Sequence, residues 1–120
     1  MIKYIEIGGA KRPVRYNHNA LEEFEEITGL SMMDETIIAA LKKVKNQKAL
    51  AFCGLKHGFL EANDYSADFP ESLVTVGRWL NVTNVYSIFD AYRKDTEGYV
   101  EPEEEADADA KKSLGVTSVV

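Results

Sequence analysis

Residues 47–61 limit what this chain can fold into more than any other segment, because they would form a helix with apolar side chains on more than one side. Two helical faces are apolar, one formed by Leu50, Cys53 and Leu60 and the other by Phe52, Leu55 and Phe59. A helix that is apolar nearly all round lies in the centre of its domain. The sequence therefore predicts that other helices cover this one, and that Asn46 caps it.

The first covering helix has signals at both ends. Residues 17–19 offer side chains that can cap its start, and Gly29 supplies the positive φ that commonly follows a helix end. Its apolar stripe is formed by Leu21, Phe24 and Ile27. The opposite face carries Glu22, Glu23, Glu25 and Glu26. A run of like charges opposite an apolar stripe predicts a solvated face rather than a catalytic carboxylate pair.

Three further segments have the apolar spacing of short helices. The second helix is expected to start after Ser31 or Asp34, the fourth in the turn opened by Pro70, and the fifth at Thr83 or Asn84. Their apolar stripes are Ile37, Leu41 and Val44, then Leu73, Val76 and Leu80, then Val85, Ile88, Phe89 and Tyr92. Helices this short are marginal alone, so they must share one core.

The segment before these helices predicts a β-hairpin. Residues 3–7 alternate between polar and apolar side chains, Gly8 and Gly9 favour a tight turn, and residues 13–16 can return as the second strand. Gly54 and Gly58 in the central helix predict the close approach of a neighbouring helix. The fold class is therefore mainly α, with about five short helices and an N-terminal β-hairpin.

The charge is divided unevenly along the 120 residues. Of the 20 acidic residues, 8 lie from Asp95 onward, whereas only two of the 14 basic residues do, Lys111 and Lys112. Residues 1–94 are thus formally neutral, and the net charge of -6 belongs to the rest. We predict a folded domain over residues 1–94 and a flexible, largely disordered acidic C-terminal tail over residues 95–120.

Composition also excludes several function classes. A neutral domain with an acidic tail lacks the basic face that nucleic-acid binding requires, so we expect no nucleic-acid partner. No apolar stretch is long enough to span a membrane, and the start does not read as a signal peptide. With one cysteine, Cys53, the chain can form no intramolecular disulfide, which suits a reducing cytoplasm.

The only candidate for chemistry is the pair Cys53 and His57, which are one helical turn apart. Such a pair can act as a thiolate and imidazole, or supply half of a metal site. Zinc usually takes four ligands, and only His18 remains as another nitrogen donor. A buried thiol beside a partly exposed histidine is the favoured interpretation. We expect no enzyme activity, no metal and no cofactor.

The order of the features resembles a known family. Residues 19–29 match an N-A-L-x-x-x-E-x-x-T-G pattern, and residues 49–55 match A-L-x-x-x-G-L. A glycine-bearing hairpin precedes them over residues 8–16, and a late Val-Gly-Arg-Trp-Leu segment follows at residues 76–80. Over residues 8–94, this arrangement resembles the tail assembly chaperones of long-tailed bacteriophages, prophages and gene transfer agents.

The resemblance implies a small, mainly helical protein in the cytoplasm of the host bacterium. Members of this family coat the long tape-measure protein until tail-tube subunits polymerise around it, and they are generally absent from the finished virion. Many also exist in a longer, frameshifted form that recruits the tube subunits. The implied partners are the tape-measure protein and tail-tube subunits, and coating a filament favours weak self-association.

A holder for a long helical protein needs apolar grooves between its own helices. We expect these grooves beside the third to fifth helices. The candidate partner-binding residues are Phe59, Trp79, Tyr86 and Tyr92, each of which suits a core position equally well. Two other functions remain open: a structural head–tail connector or tail-completion protein of the virion, and an enzyme or metal protein built on Cys53 and His57.

Overall fold

A computed structural model describes residues 2–97, and these form an antiparallel β-hairpin followed by five α-helices. The elements are β1 (Lys3–Ile7), β2 (Ala10–Val14), α1 (His18–Thr28), α2 (Ile37–Ala40), α3 (Val44–Ala62), α4 (Leu73–Trp79) and α5 (Val85–Thr96). The predicted fold class is confirmed. The predicted disorder of the tail concerns residues 98–120, which lie outside the described part of the chain.

The helix α3 is central, as its apolar pattern predicts. The hairpin strand β2 and the helices α1, α4 and α5 all pack against it. Leu50 and Leu55 of α3 are completely enclosed, and so are residues from each covering element, namely Val14, Phe24, Val76 and Ile88. Burial of these apolar side chains is the main favourable contribution to folding.

The glycines of α3 are needed because of the hairpin, so the prediction that a helix approaches them is wrong. A Cβ atom at Gly54 would collide with the ring of Tyr16, and one at Gly58 would collide with the backbone of Pro13. The backbone N–H of Arg15 also donates to the carbonyl of Gly54 at 3.0 Å. The two glycines therefore let the end of β2 lie directly on the central helix.

Both predicted ends of α1 are confirmed. The side chain of Asn17 accepts a hydrogen bond from the N–H of Ala20 at 2.9 Å, which is an N-cap. Gly29 has φ 76° and its N–H donates to the carbonyl of Glu25. A cap is a contact between near neighbours in sequence, which is why the residues alone indicate it.

The predicted boundary between the second and third helices is wrong. The helix α2 has only four residues, and α3 already begins at Val44. Asn46 is buried inside the first turn of α3, where its side chain donates to the carbonyl of Ala40 at 2.8 Å. Gln47 donates in the same way to the carbonyl of Leu41 at 3.1 Å. These two amides satisfy the carbonyls at the end of α2 and hold the bend between the helices.

The last two helices begin near their predicted starts. The helix α4 begins at Leu73 with Ser72 as its N-cap, so Pro70 lies before the helix and not in its first turn. The helix α5 begins at Val85, after Asn84, as predicted. None of the helices within residues 2–97 is long and apolar enough to cross a membrane.

The folded part continues beyond the boundary predicted after residue 94. Asp95 belongs to α5, and its carboxylate accepts a hydrogen bond from the N–H of Tyr16 at 2.8 Å. The same carboxylate lies 3.2 Å from the guanidinium of Arg15. The side chain of Asp95 therefore links α5 to the residues that follow β2, and Asp95 is not the first residue of a solvated tail.

Candidate partner-binding trough

Three adjoining grooves run along α5, and we call them together the trough. The first lies between α4, α5 and the start of α3, with a volume of about 430 Å³. The second, about 490 Å³, lies between α2, α3 and α5, and the third, about 420 Å³, lies between the α1–α2 region and the end of α5. The first two share Tyr86 and Phe89, and the last two share Ile38 and Tyr92.

Large apolar side chains are exposed along this trough. Five line it, namely Met33, Ile38, Val44, Val82 and Tyr86. The least exposed of these, Ile38, still presents 62% of its surface to solvent, and Met33 presents 91%. Single exposed apolar residues are common on protein surfaces, but several along one concave surface are typical of an interaction site.

The short helix α2 produces one wall of the trough. Ile37 points into the core and is buried, so its neighbour Ile38 must point away from the core. The bend after α2, held by the side chains of Asn46 and Gln47, then places Val44 at the very start of α3. Ile38 and Val44 are therefore held outside the core by a fixed backbone.

The connection between α4 and α5 produces the opposite wall. The side chain of Asn84 accepts from the N–H of Asn81 at 2.8 Å and donates to the carbonyl of Trp79 at 2.9 Å. In return, the side chain of Asn81 accepts from the N–H groups of Thr83 and Asn84. Val82 lies at the tip of this doubly bonded turn, where it is 82% exposed. The hydrogen-bonded turn therefore holds Val82 in an exposed position.

A cluster of lysines lies on the α2–α3 side of the trough. Lys48 lines the first groove and Lys42 lines the second, and Lys43 and Lys45, which are close to them in sequence, are exposed. None of these four has an ion-pair partner among residues 2–97. Arg93, which also lines the second groove, is paired with Asp90 at 2.9 Å. The trough therefore combines an apolar floor with a positive rim on one side.

The structure brings two of the four predicted partner-binding residues to the trough. Tyr86 lines the first and second grooves and is 71% exposed. Tyr92 lines the second and third, where its ring packs edge-on against Tyr16 with 5.5 Å between centroids. Their role in binding stays a prediction.

The other two predicted residues lie elsewhere. Phe59 packs against Phe69 of the α3–α4 connection, with 5.7 Å between ring centroids. The indole of Trp79 covers Gly8 of the hairpin turn, and the guanidinium of Arg12 lies 4.1 Å from its centroid. These rings serve packing inside the domain and not the trough.

Aromatic anchors alone do not predict most of the trough, because most of its lining residues are aliphatic, polar or charged. Ile38 and Val82 belong to none of the predicted apolar stripes, and Val44 and Phe89 belong to stripes that predict core positions. The sequence does indicate the exposure of Ile37 or Ile38, because two adjacent isoleucines in a short helix cannot both face the same core. The exposure of Val82 depends on the asparagine-bonded turn, which has no comparable signal in composition.

Cys53 is buried, as the favoured interpretation predicts, but His57 is buried as well and is not partly exposed. His57 is only 6% exposed, and its ring nitrogens contact the Glu23 carboxylate at 2.7 Å and the Tyr65 hydroxyl at 2.9 Å. Glu23 also pairs with Lys56 at 2.9 Å, so Glu23 does not belong to a solvated face. The cluster links α1, α3 and the turn that follows α3.

The electrostatics of this cluster give Cys53 no nucleophilic character. Burial, with a further contribution from the Glu23 charge, raises the pKa of the Cys53 thiol to about 12, so the thiol stays protonated. Partial burial opposes ionisation of Glu23, but hydrogen bonds from Lys56 and His57 outweigh it and lower the pKa of Glu23. Residues 2–97 contain no group of three or more histidine, cysteine or acidic side chains placed to hold a metal ion.

Comparison of the chain with protein-family models, with curated proteins and with solved structures found no significant match.

Proposed function

We infer that this protein is a tail assembly chaperone of a long-tailed bacteriophage or prophage. Its trough would bind helical, partly apolar segments of the tape-measure protein and keep that protein soluble until tail-tube subunits polymerise around it. The observation that carries the proposal is the row of five exposed apolar side chains along one concave surface. The sequence resemblance supplies the identity of the partner.

The dimensions and chemistry of the trough suit an amphipathic helix. Such a helix presents apolar side chains at positions i, i+3, i+4 and i+7, which can enter successive grooves along a shared wall. The wall here is α5, with Tyr86 and Phe89 between the first two grooves and Tyr92 between the last two. A positive rim on one side additionally favours a partner helix with acidic residues along its flank.

The same surface suits a contact that must later be released. A chaperone that leaves before the particle is complete needs weak, reversible binding at each copy, and small interfaces are typical of transient contacts. Repeated weak binding along one long chain still gives a stable coat, because many copies act together. The six acidic residues beyond position 97 would keep neighbouring coated chains apart by repulsion.

The proposal is tested by co-expressing the tagged chain with the tape-measure protein encoded in the same genome. We expect a soluble complex with many copies per tape-measure chain, measured by size-exclusion chromatography with light scattering. Recovery of the protein in purified virions, without such a complex, would instead assign it to a structural head–tail connector or tail-completion protein.

A matched pair of variants separates trough binding from general effects. Val82→Asp places a charge in the trough, whereas Val74→Asp places the same charge at an exposed valine of α4 that does not line it. We expect Val82→Asp to reduce the copies bound and Val74→Asp to leave them unchanged, with the helical circular dichroism of both preserved. Equal binding by the two variants would contradict the trough as the binding surface.

A further inference from the structure

The chain leaves the described domain from within the trough. Glu97, the last residue that the structure describes, lines both the second and the third grooves. The helix that ends there, α5, is the shared wall of all three grooves. The 23 residues that follow in the sequence therefore start next to a concave surface with five exposed apolar side chains.

The sequence beyond Glu97 has two parts with different chemistry. Residues 98–113 contain six acidic residues and two lysines, whereas residues 114–120 carry no charged side chain. Four of those last seven residues are large and apolar, namely Leu114, Val116, Val119 and Val120. A short apolar segment is thus attached to the trough through an acidic connection.

The length of that connection allows the apolar segment to return. A chain of 16 residues can extend to at most about 55 Å. The longest dimension of the described domain is 43 Å, so residues 114–120 can reach any groove of the trough. Attachment of this kind gives an effective local concentration of the order of millimolar, which makes even weak docking significant.

Charge complementarity favours the second groove over the others. Lys42 lines that groove, and neither Lys42 nor its exposed chain neighbours Lys43 and Lys45 have ion-pair partners among residues 2–97. An acidic connection that starts at Glu97 and passes these lysines would gain attraction from them. It would thereby direct residues 114–120 towards the apolar floor around Ile38.

We propose that residues 114–120 of this chain occupy the second groove, over Ile38, Tyr86 and Phe89, whenever no partner is bound. The segment covers apolar surface that would otherwise be exposed, and a partner helix must displace it. Displacement frees the acidic connection to repel neighbouring copies. This regulatory consequence rests on the proposed function, whereas the docking itself is a property of the isolated chain.

The test is paramagnetic relaxation on the full chain, with a nitroxide label on Ser118→Cys. Cys53 is fully buried, and burial raises the pKa of its thiol to about 12, so the label reacts at the introduced cysteine. We expect the amide signals of Ile38, Tyr86 and Phe89 to be lost in the labelled chain and to return when the nitroxide is reduced. Signals near Phe59, which lines none of the three grooves, should persist.

Two groups of variants make the test specific. Val116→Asp with Val119→Asp in the labelled chain removes the apolar character of the segment, so the lost signals should return. Ile38→Asp removes the floor of the groove and should have the same effect, whereas Ile27→Asp, at an exposed isoleucine outside the trough, should leave the signal loss unchanged. Similar spectra for the two isoleucine variants would overturn the proposed location.

Two further outcomes would contradict docking of residues 114–120 on their own chain. Persistence of all trough signals in the labelled chain would overturn self-docking. Signal loss of equal size in a mixture of labelled chain and isotope-enriched unlabelled chain would show that a second copy, and not the same chain, is the occupant. Because no tape-measure protein is present, failure here leaves the co-expression result untouched, and the two proposals fail independently.

Discussion

The Nε2 atom of His57 lies 2.7 Å from a carboxylate oxygen of Glu23, and this contact joins two helices at a buried position. The other ring nitrogen contacts the hydroxyl of Tyr65, which belongs to a turn where Asp64 and Tyr65 both have positive φ, 53° and 56°. Residues other than glycine adopt this conformation only when surrounding contacts compensate for its cost. The histidine therefore holds both the α1–α3 packing and the turn after α3.

The Glu23 contact gives a pH dependence of stability whose sign follows from the lowered pKa of Glu23. The folded state has the lower pKa, so Glu23 stabilises the fold above its ordinary pKa of 4.5 and loses this contribution as the pH falls through the folded value. We expect the free energy of unfolding of the wild-type chain to fall more steeply below that pH than that of Glu23→Gln, measured by urea denaturation. Parallel pH profiles for the two proteins would show that Glu23 gains nothing from Lys56 and His57.

Removal of one hydroxyl tests the other half of the same cluster. The hydroxyl of Tyr65 contacts His57 and accepts a hydrogen bond from Asn17 at 3.0 Å, so Tyr65→Phe leaves the Nδ1 atom of the buried His57 without this partner. We expect a loss of about 1–2 kcal/mol in the free energy of unfolding. The control is Tyr86→Phe, at an exposed residue, which should change stability little. Equal losses for the two variants would be inconsistent with a structural role for the Tyr65 hydroxyl.

A third prediction concerns the contact between the hairpin and α3. Gly58→Ala would drive a methyl group into the backbone of Pro13, which cannot move aside without shifting β2, so we expect a loss of about 1–3 kcal/mol or more in thermal or urea unfolding. Gly77→Ala is the control, because its methyl group would meet only the flexible stem of Lys48 and alanine favours helix. A Gly58→Ala variant as stable as Gly77→Ala would mean that the hairpin does not lie as closely on α3 as described.

These contacts also show where the sequence is informative and where it is not. The central position of α3 and the caps at Asn17 and Gly29 follow from periodicity and from near neighbours, and the structure confirms them. The partner of Gly58 is 45 residues away in sequence, in β2, and no local pattern identifies it. The trough depends on how α2 bends into α3, and that bend is fixed by side-chain bonds to backbone carbonyls that composition does not reveal.

The end of α5 provides the last prediction. The carboxylate of Asp95 accepts from the N–H of Tyr16 and is only 7% exposed, whereas Asp90 in the same helix is 46% exposed and pairs with Arg93 at the surface. Loss of a buried acceptor leaves a donor unsatisfied, so Asp95→Ala should reduce the free energy of unfolding by about 1–3 kcal/mol. An exposed ion pair contributes little, so Asp90→Ala should cost less than about 1 kcal/mol.

Asp95 also affects the trough, because it fixes the end of α5, from which the chain continues past Glu97. Asp95→Ala should therefore increase amide hydrogen exchange over the last turn of α5 and at Tyr16, while exchange in α3 stays slow. Equal stability of the two aspartate variants, with unchanged exchange at Tyr16, would return Asp95 to the solvated segment that the charge pattern alone predicts.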